Sequence, residues 1–229
     1  MNTRKINTQL YPIYNRYFIE LKLRTDTIGE SFSCPILMKV FPDYLKVNRR
    51  IMFVGKETLG WYDTMNNSAD LGVDELLKTY EEFEFGKEYH GRNSPFWRFI
   101  KTFHTKLNGE QYPNGFLWTN FSKCDSNRTT PSLELQEINN RGFELLRTEI
   151  EITKPQIVLF ITGWSYDHHF ERVFKEIQYD ELIKNTLYLC KHPALPHHTF
   201  HTMHPKALQL RSKFNQVMDK IVELVSVTH

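Results

Sequence analysis

Two short, uninterrupted apolar runs constrain the fold of this chain more than any other feature. Residues 51–54 have the sequence Ile-Met-Phe-Val and end at Gly55, and residues 157–162 have the sequence Ile-Val-Leu-Phe-Ile-Thr and end at Gly163. A strand that is apolar on both faces is typical of a parallel sheet covered by helices on both sides. We therefore predict an α/β fold.

Other segments have strand or helix character. Residues 116–121 follow a Tyr-Pro-Asn-Gly turn and are rich in aromatic side chains, and residues 199–203 precede a His-Pro pair, so we predict strands in both. Residues 187–190 are a possible extra strand. Apolar residues at helical spacing predict helices that begin at residue 73 and that span 95–103, 132–152, 170–183 and 206–225, with 132–152 the longest.

Strands that alternate with helices in this order predict a three-layer α/β/α domain with a central, mainly parallel four-stranded sheet. The chain has 229 residues, of which 40% are hydrophobic, and this fits one domain. We predict a single domain over residues 1–229, in which residues 1–48 form a helical extension packed on the same core.

Charge and cysteine content limit the class of protein. The chain has 29 Lys and Arg against 27 Asp and Glu, a net charge of +2, which excludes a histone-like polycation and an acidic disordered chain. No apolar run approaches about 18 residues, so we expect no membrane span, and the N-terminus does not resemble a signal peptide. Three widely spaced cysteines predict reduced thiols and a cytoplasmic location.

Three polar residues follow predicted strands. Glu57 comes after the first strand, Asn120 after the aromatic strand and His204 after the last. In open α/β sheets ligands bind beyond the carboxyl ends of the strands, so we expect these side chains to converge at one rim. Each also has a simpler interpretation: a cap or solvated turn carboxylate, a turn former, and a histidine bonded to the backbone.

The residues around these positions resemble the uracil-DNA glycosylase superfamily. Gly55-Lys56-Glu57 is similar to its first loop, the strand that ends at Asn120 to its Asn strand, and His204-Pro205 to its late His-Pro motif. The resemblance spans about residues 49–212. It implies a four-stranded parallel sheet flanked by helices, and an enzyme that acts on a base flipped out of DNA.

The resemblance also implies roles. Asn120 would recognise the flipped base, Glu57 would orient or deprotonate the attacking water and stabilise positive charge on the sugar, and His204 would donate a hydrogen bond to the departing base. The implied activity is that of a monofunctional DNA glycosylase that acts on uracil or another altered pyrimidine, leaves an abasic site and needs no cofactor.

The motifs also depart from the family pattern. Thr58 stands where many members have Pro, and Trp61 is a large aromatic residue that the uracil-specific pattern lacks, so the base stays open. Phe96 and Trp97 are candidates to stack on the base, with core positions as the alternative, and Trp61 is a second candidate platform. Gly55 lets the backbone approach a ligand closely.

Basic residues in or beside the motifs predict contacts with DNA phosphates. They are Lys56, Arg92, Lys123, Lys206 and Arg211. The alternative for each is an ordinary solvated side chain. We expect DNA as the partner and a monomeric protein.

Two metal hypotheses follow from the histidines and cysteines. Five of the ten histidines lie between residues 192 and 204, but the segment has no HExxH helix. Cys124 falls where some relatives have an iron–sulfur ligand, yet three cysteines cannot supply four ligands, so we predict no metal. A non-catalytic binding module on the same fold is our second hypothesis, and a metal-dependent hydrolase built on the histidines is the third.

Overall fold

A computed structural model describes residues 2–25, 27, 30–67, 71–83, 85 and 93–227, and Arg92 lies outside this range. These residues form a six-stranded sheet in the order β2-β1-β3-β6-β5-β4. The strands are β1 (Ile51–Gly55), β2 (Leu117–Asn120), β3 (Ile157–Phe160), β4 (Gln178–Ile183), β5 (Leu187–Lys191) and β6 (His198–Thr202).

The sheet is parallel from β2 through β1 and β3 to β6, and antiparallel from β6 through β5 to β4. The α/β prediction is confirmed, and its four predicted strands are the parallel ones. The predicted total of four strands is wrong because a β4–β5 hairpin extends the sheet. Asn185 adopts a left-handed conformation with φ of 51° in the hairpin turn, which lets the chain reverse there.

Eight helices lie among the described residues. They are α1 (Thr3–Thr25), α2 (Val73–Phe83), α3 (Pro95–Asn108), α4 (Leu133–Ile138), α5 (Asn140–Thr153), α6 (Asp167–Val173), α7 (Pro205–Leu210) and α8 (Phe214–Val227). In α3 the Ser94 side chain accepts a hydrogen bond from Trp97 N, so the expected N-cap is present. None of the helices in the described ranges is long and apolar enough to cross a membrane.

Three helix predictions need correction. Residues 132–152 form two helices because Asn139 interrupts them, and its Oδ1 accepts a hydrogen bond from the Tyr17 hydroxyl at 2.6 Å. Residues 206–225 also form two helices, which are separated at Ser212 by a left-handed backbone with φ of 54°. The helix predicted over 170–183 ends at Val173, and its second half is strand β4, whose exposed polar residues do not distinguish an edge strand from a helix.

The N-terminal segment contributes buried residues to the core, and only part of it is helical. The longest helix is α1, with 23 residues, and it packs against α5. Residues 32–41 are mostly buried and lie outside any helix, with Ser33 N donating to Asp125 O and Ile36 N donating to Lys123 O. These long-range backbone bonds keep the segment out of a helix, which corrects the helical expectation for these residues, and Pro42–Leu45 form a short 3-10 helix.

Helices cover both faces of the sheet. Successive side chains of β2 point alternately towards α3 on one face and α5 on the other. Trp118 packs against Trp97 of α3, with ring centroids 5.0 Å apart. Thr119 points to the other face, where its hydroxyl donates to Glu149 of α5 at 3.2 Å. Because neighbouring residues of a strand point to opposite faces, Asn120 shares the α3 face with Trp118.

Candidate functional site

The loop after β1 stays paired with the chain after β2. Phe121 N donates to Gly55 O and Ser122 N donates to Lys56 O, both at 2.9 Å. The parallel register places Gly55 directly beside Asn120. These backbone bonds therefore bring the loop that carries Glu57 next to the end of the Asn120 strand.

Glu57 is held by three donors. The Tyr166 hydroxyl donates to Oε2 at 2.8 Å, and the Thr130 hydroxyl and the Lys56 ammonium group each lie 3.3 Å from Oε1. The Glu57 side chain is 15% exposed. Glu57 is thus neither a helix cap nor a solvated turn carboxylate but a fixed, partly accessible group at the rim.

Asn120 is buried, and its Nδ2 has no hydrogen-bond partner within the described part of the chain. A buried donor without a partner costs about 1–3 kcal/mol, and a ligand atom that accepts from Nδ2 would recover that cost. Gly55 makes room for the amide, because a side-chain carbon at Gly55 would overlap Asn120 Oδ1. The same carbon would lie 3.3 Å from the Phe96 ring, so Phe96 packs near the Asn120 amide.

His204 packs against Phe96. Its ring stacks on Phe96, with centroids 5.9 Å apart and planes 19° from parallel. His204 caps α7 and its Nδ1 accepts a hydrogen bond from Lys206 N at 3.3 Å. Because Nδ1 is an acceptor, we assign the proton of the neutral ring to Nε2, which is then available as a donor.

The charge state of His204 follows from its surroundings. Burial, with the nearby positive charges of Lys56 and Lys206, lowers the pKa of His204 to about 4. The ring is therefore neutral near pH 7. A neutral imidazole with its proton on Nε2 is suited to donate a hydrogen bond to an atom that gains negative charge.

The three aromatic candidates differ in position. Trp61 and Trp97 are 7% and 4% exposed and pack in a cluster around Trp118, with ring centroids 5.7 and 5.0 Å from it. Phe96 is partly exposed and lies beside Gly55 and His204. By geometry Phe96 is the candidate that a base could stack on.

Thr58 fixes the loop. Its hydroxyl contacts Ser33 Oγ at 3.1 Å and donates to the buried Asp125 carboxylate, which also accepts from Gly60 N at 2.8 Å. Gly60 has φ of 75°, a conformation that favours glycine. The Thr58 hydroxyl thus makes its hydrogen bonds within the protein and holds the loop in place, so it does not point towards a ligand.

Lys123 does not lie at the rim, which corrects its predicted phosphate contact. It is fully buried on the opposite face from Asn120, where Nζ donates to Glu149 Oε2 at 2.7 Å and to Thr119 Oγ1 at 2.6 Å. Burial lowers the pKa of Lys123, and the Glu149 carboxylate opposes this effect. The chain turns inward after β2. Lys123, which the sequence predicts at the surface, therefore forms a buried ion pair with Glu149.

The other predicted cations are more accessible. Lys56 is partly exposed, and its ammonium group donates to Thr130 Oγ1 at 2.8 Å, while Lys206 and Arg211 are exposed on and after α7. Arg128, which the sequence did not single out, is exposed and packs its side chain over Gly60. Lys56 and Arg128 lie on loops, and Lys206 and Arg211 lie on and just after α7.

The histidine-rich segment does not form a metal site in the described residues, where no group of three or more His, Cys, Asp or Glu side chains is placed to hold a metal ion. His201 is buried, and its Nε2 lies 2.9 Å from Thr162 Oγ1 and 2.8 Å from Gly163 O. The three cysteines are buried, and none of them forms a disulfide in the described part of the chain. The described geometry thus gives the metal-dependent hydrolase hypothesis no donor set.

Sequence reasoning missed three residues of the site: Tyr166, Thr130 and Asp125. No motif marks them, because each reaches the rim from a loop whose path depends on the fold. No protein-family model matches the chain, and no curated protein is significantly similar to it. Function must therefore be inferred from the geometry and from the motif resemblance.

The His204 ring should stay neutral through the physiological range. In an NMR titration, we expect the His204 ring resonances to show no midpoint between about pH 5 and 8, and Lys56→Met to raise the pKa of His204 by removing a nearby positive charge. Since the folded-state pKa lies below the unfolded value, this histidine costs stability as the pH falls from about 6.5 towards 4. A midpoint near pH 6.5 would contradict the buried, neutral assignment.

Lys123→Ala should strongly destabilise the fold, because it leaves the Glu149 carboxylate buried without its cation. We expect the free energy of unfolding in urea to fall by about 3–5 kcal/mol. The double variant Lys123→Met/Glu149→Leu, which removes both charges, should recover much of that loss. Lys206→Ala is the control, since an exposed lysine should change stability by less than about 0.5 kcal/mol. A similar small effect for Lys123→Ala would argue against the internal ion pair.

Proposed function

We propose that the protein is a DNA glycosylase that hydrolyses the N-glycosidic bond of a flipped-out uracil or other altered pyrimidine and leaves an abasic site. The observation that carries the proposal is the buried Asn120 Nδ2, which has no partner among the described residues and lies near Phe96, on whose ring His204 stacks, and beside the Glu57 loop. A planar base would satisfy the amide and stack on the Phe96 ring.

The recognition step uses Asn120 and Phe96. A pyrimidine edge with a carbonyl oxygen would accept the Nδ2–H hydrogen bond that the protein leaves unmade, while the Phe96 ring supports the base face. Gly55 leaves room for the Asn120 amide at this position, because any larger residue would overlap Oδ1. The unpaired donor thus favours bases that present an acceptor, and uracil is one of them.

In the bond-breaking step, C1′ of the deoxyribose loses its bond to the base nitrogen and gains a bond to a water oxygen. The base departs with the electron pair of the broken bond, and His204 Nε2–H would donate a hydrogen bond to it as its negative charge builds. The negative charge of Glu57 would stabilise the positive sugar, and its carboxylate would take the proton of the attacking water. The products are an abasic strand and the free base.

The surroundings of the site fit a DNA partner. Lys56 and Arg128 on loops, with Lys206 and Arg211 on and after α7, provide positive charge that suits contacts with the phosphates on either side of a flipped nucleotide. The near-neutral total charge implies local contacts with DNA. Three buried cysteines that form no disulfide among the described residues suit a reducing, cytoplasmic compartment. We infer a monomer that acts on one flipped nucleotide at a time.

The test is release of free base from single and double strands that carry uracil, other deaminated bases or modified cytosines. Glu57→Gln should lower the single-turnover rate by about 100-fold or more, because the amide can neither accept the proton of water nor stabilise a positive sugar. Asn120→Ala should lower the rate by weakening base recognition. Glu134→Gln and Asn215→Ala, which alter exposed residues of the same types, are the matched controls.

Two outcomes would count against the enzyme. If the wild-type protein released no base from any of these strands, or if Glu57→Gln retained full activity, the glycosylase proposal would be wrong. Tight binding of the same strands without release would instead favour the second hypothesis, a non-catalytic nucleic-acid-binding module on this fold.

A further inference from the structure

Tyr166 connects the region after β3 to the Glu57 loop. It lies just before α6, it is fully buried, and its hydroxyl donates to Glu57 Oε2 at 2.8 Å. No sequence motif pointed to this residue. Its hydroxyl nevertheless contacts the carboxylate to which we assign the activation of water.

The donors around Glu57 divide between its two oxygens. Thr130 and Lys56 approach Oε1, each at 3.3 Å, and only Tyr166 approaches Oε2 among the described residues. Each carboxylate oxygen accepts about two hydrogen bonds, so Oε2 keeps one acceptor position. A water molecule bound at that position would have its orientation fixed by the Tyr166 bond.

Tyr166 is itself held rigidly. Its ring packs against Phe121 and Phe143, with centroids 5.9 and 5.8 Å away, and the Lys56 ammonium group lies 5.8 Å from the ring centre. Burial and the Glu57 charge raise the pKa of Tyr166 well above its ordinary value. The hydroxyl therefore keeps its proton at any working pH and always acts as a donor.

We propose that Tyr166 is a positioning residue, which holds the Glu57 carboxylate so that the remaining acceptor position of Oε2 presents a water to the sugar. The inference rests on the proposed glycosylase function and deepens it. Tyr166 touches neither base nor sugar in this account, and it acts only through Glu57. Its removal should therefore change the rate of bond breaking and not the binding of DNA.

Tyr166→Phe removes the hydroxyl and keeps the ring. We expect kcat to fall by about 10- to 100-fold, because the carboxylate loses its fixed orientation, while KM stays within about twofold. Thr130→Val removes a longer bond at an exposed position and should lower kcat by less, with KM again unchanged. Tyr44→Phe is the matched control, since its buried hydroxyl donates to Thr153 O at the opposite end of the sheet.

A double-mutant cycle separates positioning from a structural role. In the Glu57→Ala background there is no carboxylate to orient, so Tyr166→Phe should have no further effect on the residual single-turnover rate. The inference would be wrong if Tyr166→Phe lowered the rate equally with and without Glu57. It would also be wrong if Tyr166→Phe kept a wild-type kcat while Glu57→Ala was inactive. Either result would leave the glycosylase proposal standing. Failure of the wild-type protein to release any base would overturn both.

Circular dichroism and thermal unfolding of each variant check the fold. If Tyr166→Phe fails to fold, Thr130→Val decides the matter, because Thr130 is exposed and its hydroxyl reaches the same carboxylate. A reduced kcat with unchanged KM for Thr130→Val would support orientation of Glu57 by its donors. Wild-type kinetics for Thr130→Val would then count against it.

Discussion

The site depends on the backbone pairing of two segments beyond the sheet. The hydrogen bonds from Phe121 N to Gly55 O and from Ser122 N to Lys56 O continue the β1–β2 ladder past the strand ends. They fix the Glu57 loop beside Asn120, and the absence of a side chain at Gly55 lets the Asn120 amide occupy the gap. The contacts of the Phe96 ring with Gly55 and of the Tyr166 hydroxyl with Glu57 depend on the positions that this pairing sets.

The polar groups on the two faces of β2 differ in whether their hydrogen bonds are satisfied. On the α5 face, Lys123, Thr119 and Glu149 satisfy one another in a fully buried network, which suits a structural role. On the α3 face, Asn120 keeps a buried donor without a partner in the described residues. The ligand site that we propose accordingly lies on the second face, next to the Asn120 amide.

Much of the framework could be predicted because its signals are local. The apolar runs of β1 and β3, the N-cap of α3 at Ser94 and the order of strands and helices all follow from short sequence patterns. Residues 187–190, indicated as a possible extra strand, form β5, but its partner β4 could not be predicted, since this exposed edge strand has no distinctive pattern. The burial of Lys123 and the contact of Tyr166 with Glu57 depend on packing between distant segments, which periodicity does not encode.

The central claim is that Asn120, Phe96, His204 and Glu57 surround one flipped base. A structure of the protein bound to DNA that contains 2′-fluoro-2′-deoxyuridine, whose glycosidic bond resists cleavage, tests this most directly. We expect the base outside the helix, stacked on Phe96, with Asn120 Nδ2 donating to a base oxygen at about 2.9 Å. A base that stays within the duplex, or that binds away from Asn120, would contradict the account.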